Sequence, residues 1–219
     1  MNDSALVLKR SFVLHFLAEA FQNPDGVWEK RFVSLSGDAL KDGIIPPSFD
    51  IGDLREDHFR LFGSSPACPM ELTLHLAENP FEQARMMAHM AGFYRAFGLE
   101  HGEGERADNL SVALSFLSFL TLKEQNAVDR HMDEAKEITS KAIADFTREF
   151  LSPGVAAFTG KLASLTSNAF YLALAEILRR EIFAIQEPPA EIVSNWEPRS
   201  SELDEGEMTC GNLKSPLQS

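Results

Sequence analysis

The chain has 219 residues, 44% hydrophobic and 24% charged, so it can bury a sizeable core without help from disulfides or metals. A formal net charge of −13 argues against nucleic acid and anionic lipid surfaces as partners and favours a basic one, such as a peptide carrying arginines. The two cysteines, Cys68 and Cys210, sit in no C-x-x-C or Cys/His ligand spacing and read as reduced thiols, and no apolar run of about eighteen residues is present to span a membrane.

In chain order, the first element is a helix from about Ser4 to Gln22, with Asn2, Asp3 or Ser4 as cap candidates. Its stretch "LKRSFVLHFLAEAF" mimics a twin-arginine export signal, but His15 and Glu19 interrupt the apolar part and Lys9 replaces the first arginine. Leu6, Phe12, Val13, Phe16, Leu17 and Phe21 recur at helical spacing, which reads as an amphipathic helix of a cytoplasmic protein. "NPDG" (23–26) is a turn. A short helix from Val27 to about Leu35 follows, then a long loop over 36–52 carrying Gly37, Gly43, Pro46, Pro47 and Gly52. A third helix covers about Asp53 to Phe62. "ELTLHL" (71–76) alternates like a strand but is too short and isolated to found a sheet.

Residues 79–98 are the best-punctuated helix: Asn79 as cap, Pro80 at the first helical position, Glu82 at the capping-box position, Gly98 at the end. After "LEHGEGERA" comes "ADNLSVALSFLSFL" (107–120), a helix apolar nearly all round, with Asp108 as its N-cap. Residues 108–152 hold no Gly or Pro, and the change of pattern near Lys123 predicts a break between there and Asp133. Pro153-Gly154 is read as a stop and Val155–Ile185 as the last helix, ended by Pro188-Pro189. The expected organisation is one all-α globular multi-helix domain over 1–187 and an acidic, flexible tail over 188–219.

No nucleophile elbow, P-loop or complete dinucleotide fingerprint occurs, and no histidine stands in the E-x-x-H spacing of a di-iron bundle. "MMAHM" (86–90) could be soft copper ligands but reads more simply as core methionines on a helix. The expectation is therefore no catalytic apparatus and no metal site.

Four segments, in order, resemble the TorD/DmsD/NarJ family of molybdoenzyme maturation chaperones. They are "FQNPDGVWEKRF" (21–32), "DHFRLFGSSPACPMEL" (57–72), the pair "MAGFYRAFGL" (90–99) and "ERADNLSVALSFLSFL" (105–120), and "REFLSPGVAAFTGKLASLTSNAFYLALAEIL" (148–178). In the second, Phe59, Leu61, Phe62, Pro66, Pro69 and Glu71 match. Departures are Ala107 for the family's Pro, Asn109 for its His, Ala113 for a frequent Glu, Met70 for an aromatic and Leu72 for a Ser; its His and Trp before the last helix are also missing. The resemblance implies a single all-α domain with no cofactor of its own, which holds the catalytic subunit of a molybdopterin oxidoreductase in the cytoplasm during cofactor insertion and binds its twin-arginine leader peptide. The protein would act as a monomer or a dimer.

Such a leader needs an apolar groove with acid at one end. That places the groove between the loop 63–72 and the helix beginning at Asp108. Asp108 and Glu71 would face arginines, Phe59, Pro69 and Tyr94 would line the apolar part, and Asn109 would hydrogen-bond without a histidine's titration. The alternatives are an assembly factor for a non-exported molybdoenzyme subunit and, from another class, a helical small-molecule-sensing regulatory domain.

Overall fold

A computed structural model of the chain describes residues 3–41, 49–102 and 104–190. Cys210 and nearly all of the expected tail lie outside the described residues. Among those described, the regular elements are all helical, as expected. The single β-type pairing is an antiparallel bridge between Glu71 and Asn109.

The apolar stripe of α1 (Asp3–Ala20) buries Val13, Leu14, Phe16 and Leu17. The NPDG turn then starts α2 (Gly26–Lys41), whose first backbone N–H groups, from Val27 and Trp28, donate to Asp25 Oδ1 at 2.9 and 2.7 Å. This helix runs six residues past the predicted end at Leu35, through Gly37, so the first part of the predicted 36–52 loop is helical; residues 42–48 lie outside the described residues. Asp50 caps α3 (Ile51–Phe62) by accepting from the backbone of Gly52 and Asp53.

The alternating "ELTLHL" folds as a single helical turn, α4 (Thr73–Leu76). Its pattern of period two cannot be satisfied where only one residue, Glu71, finds a partner. The predicted punctuation of α5 (Pro80–Ala96) is present: Asn79 Oδ1 accepts from Glu82 N at 3.0 Å, and Gly98 takes a left-handed φ of 73° behind the helix. The Glu82 carboxylate reaches back to the N–H of Glu78 rather than that of Asn79.

At the centre lies α6 (Leu110–Asp129). A helix apolar on every side must be covered on every side, and Leu110, Ala113, Leu114, Leu117 and Leu120 are fully buried, with α1 as its most extensive neighbour. Where the two helices meet, Ser11 and Ser118 each donate a hydroxyl to the other's carbonyl at 3.1 and 2.9 Å, so two small side chains satisfy each other inside the core. The predicted break falls at Arg130–Met132, before α7 (Asp133–Phe146).

Two further boundaries differ from the sequence reading. Pro153-Gly154 is not a stop: α7 passes through a π-helical turn, Thr147–Leu151, into α8 (Ser152–Leu165). The wide turn loosens the hydrogen-bond ladder where Pro153 has no N–H to offer. Gly154 answers a packing need, since a Cβ there would stand 3.0 Å from Leu72 Cδ2. The expected last helix is two helices, because Thr166, Ser167 and Asn168 compete for the backbone and Asn168 Oδ1 caps α9 (Ala169–Phe183). Aromatic rings fill the core in two groups, one around Trp28 with Phe16, Phe32, Phe49 and Phe170, the other around Phe146 with Phe93, Tyr94, Phe116 and Phe150.

Candidate functional site

The segment before α4 meets the segment before α6 in a buried joint. Backbone bonds from Leu72 N to Asp108 O and from Leu110 N to Met70 O, both 2.8 Å, frame the Glu71–Asn109 bridge. Inside this frame the Asp108 side chain is completely buried. It accepts the Thr73 hydroxyl and a two-pronged bond from Arg106, whose Nε and Nη2 lie 3.0 Å from its two oxygens. The planar guanidinium fork matches a carboxylate in this way. The hydrogen bond and charge of Asp108 hold the Arg106 guanidinium even more firmly protonated than usual. Tyr94 reaches up from α5 and donates its hydroxyl to Ala107 O at 2.6 Å; burial, and secondarily the Asp108 charge, push its phenol well above the ordinary range. On the other side His75 Nε2 bonds Pro69 O at 2.7 Å, and burial lowers its pKa, so the neutral ring is the donor.

Beside the joint opens a cleft of about 570 Å³. The first turns of α6 contribute Asn109, Ser111, Val112, Ser115 and Phe116. The joint contributes Met70 and Glu71, the end of α1 Phe21, α3 His58, and the following α5–α6 loop Leu99, Glu100, His101, Glu105 and Arg106. Three carboxylates, Glu71, Glu100 and Glu105, therefore share a cavity with Phe21, Met70, Leu99, Val112 and Phe116. The nearest fixed cation, Arg106, is engaged with Asp108. Burial lowers the pKa of His58, which keeps it uncharged at neutral pH. The cavity thus joins an apolar body to three carboxylates, of which Glu71 also feels the charge of Arg106 and Glu105 accepts the backbone N–H of Gly102.

The structure redistributes the predicted site residues. Glu71, Asn109 and Tyr94 line the cleft together. Asn109, not Asp108, is the N-cap of α6: its Oδ1 accepts from Ser111 N at 2.9 Å. Asp108 is corrected on both counts, because a side chain with no exposure and three internal bonds neither caps the helix nor presents charge to solvent. Phe59 is 72% exposed on α3 and does not line the cleft, since its turn of α3 faces outward while Leu61 faces the core. Pro69 also stands outside the lining and supplies the carbonyl that orients His75. Arg106, Thr73, Ser111, Glu100 and Glu105 were not singled out from sequence. The spacing Arg106-x-Asp108 beside a glycine-rich loop was the one available signal of a charge pair.

The cleft and joint fall within residues 38–160 except for the end of α1. Over those residues, more than half of the chain, the chain matches the family model described as "Nitrate reductase delta subunit". The chain belongs to this family. The match bears out the TorD/DmsD/NarJ resemblance carried by segments 57–72, 90–99 and 105–120. A solved structure from Archaeoglobus fulgidus, whose name proposes a redox enzyme maturation protein, shares the fold with a TM-score of 0.55 and 21% identity, over 78% of this chain and 91% of that one. No curated protein matches the chain. Among the described residues no cluster of His, Cys, Asp and Glu has the arrangement of a metal site, and no helix is long and apolar enough to cross a membrane.

Proposed function

We propose that this nitrate reductase delta subunit family member is a redox enzyme maturation chaperone that binds the twin-arginine leader of a molybdopterin-dependent catalytic subunit in the cleft beside the joint, and holds that subunit in the cytoplasm while its cofactor is inserted. The observation that carries the reading is the pairing within one cavity of Glu71, Glu100 and Glu105 with Phe21, Met70, Leu99, Val112 and Phe116. A leader places a basic pair next to an apolar run, and this cavity offers the complement of both. Its volume admits a short stretch of side chains rather than a whole helix.

Apolar burial supplies most of the affinity, because each rim-exposed arginine–carboxylate pair adds only about 0–1 kcal/mol. The acids contribute chiefly to rate and selectivity. Asp108 acts through Arg106 and the joint, shaping the cleft without touching the client. Glu71 and Asn109 keep the contact roles expected of them, and Tyr94 contributes a ring edge from the buried side.

Calorimetry with a leader peptide carrying Arg-Arg before an apolar run tests the reading. Binding weakened about tenfold by Glu71→Ala with Glu105→Ala, and more strongly at low salt, is the expected result. Unchanged binding in the double variant would sink this placement. The same volume falls within the range of small-molecule sites, so binding of a metabolite with no peptide binding would favour the sensing-domain reading instead.

A further inference from the structure

The two most extensively packed helices, α1 and α6, each keep one narrow stripe at the surface, and the stripes run together out of the cleft. From Ser11 to Ala20 only Phe12, His15 and Glu19 of α1 are not buried, and from Leu110 to Thr121 only Val112, Ser115 and Phe119 of α6. One turn further out stand Leu8, 53% exposed, and Leu122, 45% exposed. The helices run antiparallel: the hydroxyls of Ser11 and Ser118 meet midway at 2.9 Å, and the end of α1 lines the same cleft as the start of α6. That register sets His15 level with Ser115, Phe12 with Phe119 and Leu8 with Leu122, about one helical turn per rung. Gln22, which continues the α1 stripe, shares the cleft with Val112 and Ser115, so both stripes open on the same side.

Charge is sorted along this track. The cleft end carries Glu71, Glu100 and Glu105. On the track itself the one carboxylate is Glu19, whose side chain is only 14% exposed and is held by Arg31 of α2 at 3.3 Å. At the far end Lys123 sets its ammonium over the rings of Phe97 and Phe119, 5.9 and 5.8 Å from their centroids. A segment with basic residues beside an apolar run therefore finds its complement only one way round, basic residues in the cleft and apolar ones on the track. Single apolar side chains on a surface need no explanation, but a stripe continuous with a cavity marks an interaction surface. From Val112 to Leu122 it is about 15 Å long, the length of about ten helical residues.

We propose that the α1–α6 track, through Leu8, Phe12, Phe119 and Leu122, is the docking surface for the apolar run of the client segment whose basic pair enters the cleft. The inference rests on the peptide-binding reading above and extends that site, since the cleft alone admits only a short stretch of side chains. The apolar run lies on the track as a short helix, its side chains between those of the two stripes.

Calorimetry compares two synthetic peptides that both open with Arg-Arg, on the full chain and on Leu8→Gln with Leu122→Gln. One continues with a short leucine stretch that fills only the cleft, the other with a leucine- and alanine-rich run long enough to cover the track. The native chain should bind the long peptide about tenfold more tightly, as burial of two half-exposed leucines gives. In the double variant that advantage should fall to within about twofold, with the short peptide's affinity unchanged. A photo-reactive phenylalanine analogue at the end of the long run provides a readout on the native chain that needs no variant. Its crosslinks should fall within residues 8–12 or 119–122. Crosslinks confined elsewhere overturn the inference, as does an undiminished advantage in the double variant. A native dimer that the double variant converts to monomers, with peptide binding unaltered, assigns the surface to a second copy and also overturns it. A long peptide that binds no more tightly than the short one overturns it while leaving the cleft reading standing. Failure of both peptides to bind the native chain overturns the peptide reading, and this inference with it.

Discussion

Asp108 and Glu71 are acids on two segments that meet at a single bridge, yet they lie in different physical worlds. In the joint, Asp108 is completely buried, and Arg106 and Thr73 satisfy it. At the rim, Glu71 is half-buried and shares the open cleft with Glu100 and Glu105. The joint spends its polar groups on itself, so it can fix a shape. The rim leaves its charges to solvent and to whatever enters, so it can recognise. Buried, paired charge resists loss of a partner strongly, while exposed charge is worth little to stability and much to encounter.

Each prediction breaks one side of that contrast. Asp108→Ala should have the largest effect, a loss of about 3 kcal/mol in urea unfolding, because it strands the Thr73 hydroxyl and the Arg106 guanidinium together. The cost stays at the low end for a buried pair because Arg106 is 42% exposed and can turn to water. Gly154→Ala presses a Cβ to 3.0 Å from the buried Leu72 Cδ2, next to the joint, and should cost about 1 kcal/mol net in the same assay, because crowding outweighs the gain of about 1 kcal/mol in helix propensity. Loss of the 2.6 Å bond to Ala107 O in Tyr94→Phe should cost about 1 kcal/mol. That variant should also loosen the start of α6, visible as faster amide exchange at Leu110 and Ser111.

A pH series separates the two regions in another way. Burial lowers the pKa of His75 in the joint and of His58 at the cleft from the ordinary 6.5. The unfolded chain therefore binds protons below 6.5 that the folded chain refuses. The stabilisation is complete above 6.5 and declines as the pH falls from there toward the lowered folded values. His75→Gln should flatten part of that slope in urea unfolding at stepped pH. The smallest effect on stability, within about 0.5 kcal/mol, is expected for Glu71→Gln with Glu105→Gln. The same pair should reduce the salt dependence of binding an arginine-bearing peptide, and a stability loss as large as that of Asp108→Ala would erase the distinction between joint and rim.

Much of this was legible in the sequence. Periodicity located the long helical segments though not α4 or the split between α8 and α9, and Asn79, Pro80 and Gly98 marked the ends of α5 because caps and left-handed φ are local chemistry. The pattern change after Lys123 foretold the break before α7 for the same reason. The glycine of Pro153-Gly154 misled, since its cause is a residue distant in sequence, Leu72. The polar triplet Thr166–Asn168, whose Asn168 caps α9, was not used in reading Val155–Ile185 as one helix.

The site divides along the same line. Sequence by itself determined an all-helical chain, a strongly acidic charge and the family resemblance, because composition, periodicity and motif order are properties of neighbours along the chain. Only the tertiary structure decided that Asn109 caps α6, that Asp108 is locked to Arg106 and Thr73, and that Phe59 points away. Each of those depends on which groups from distant segments arrive first to fill a hydrogen bond or a volume, and no local pattern records that competition.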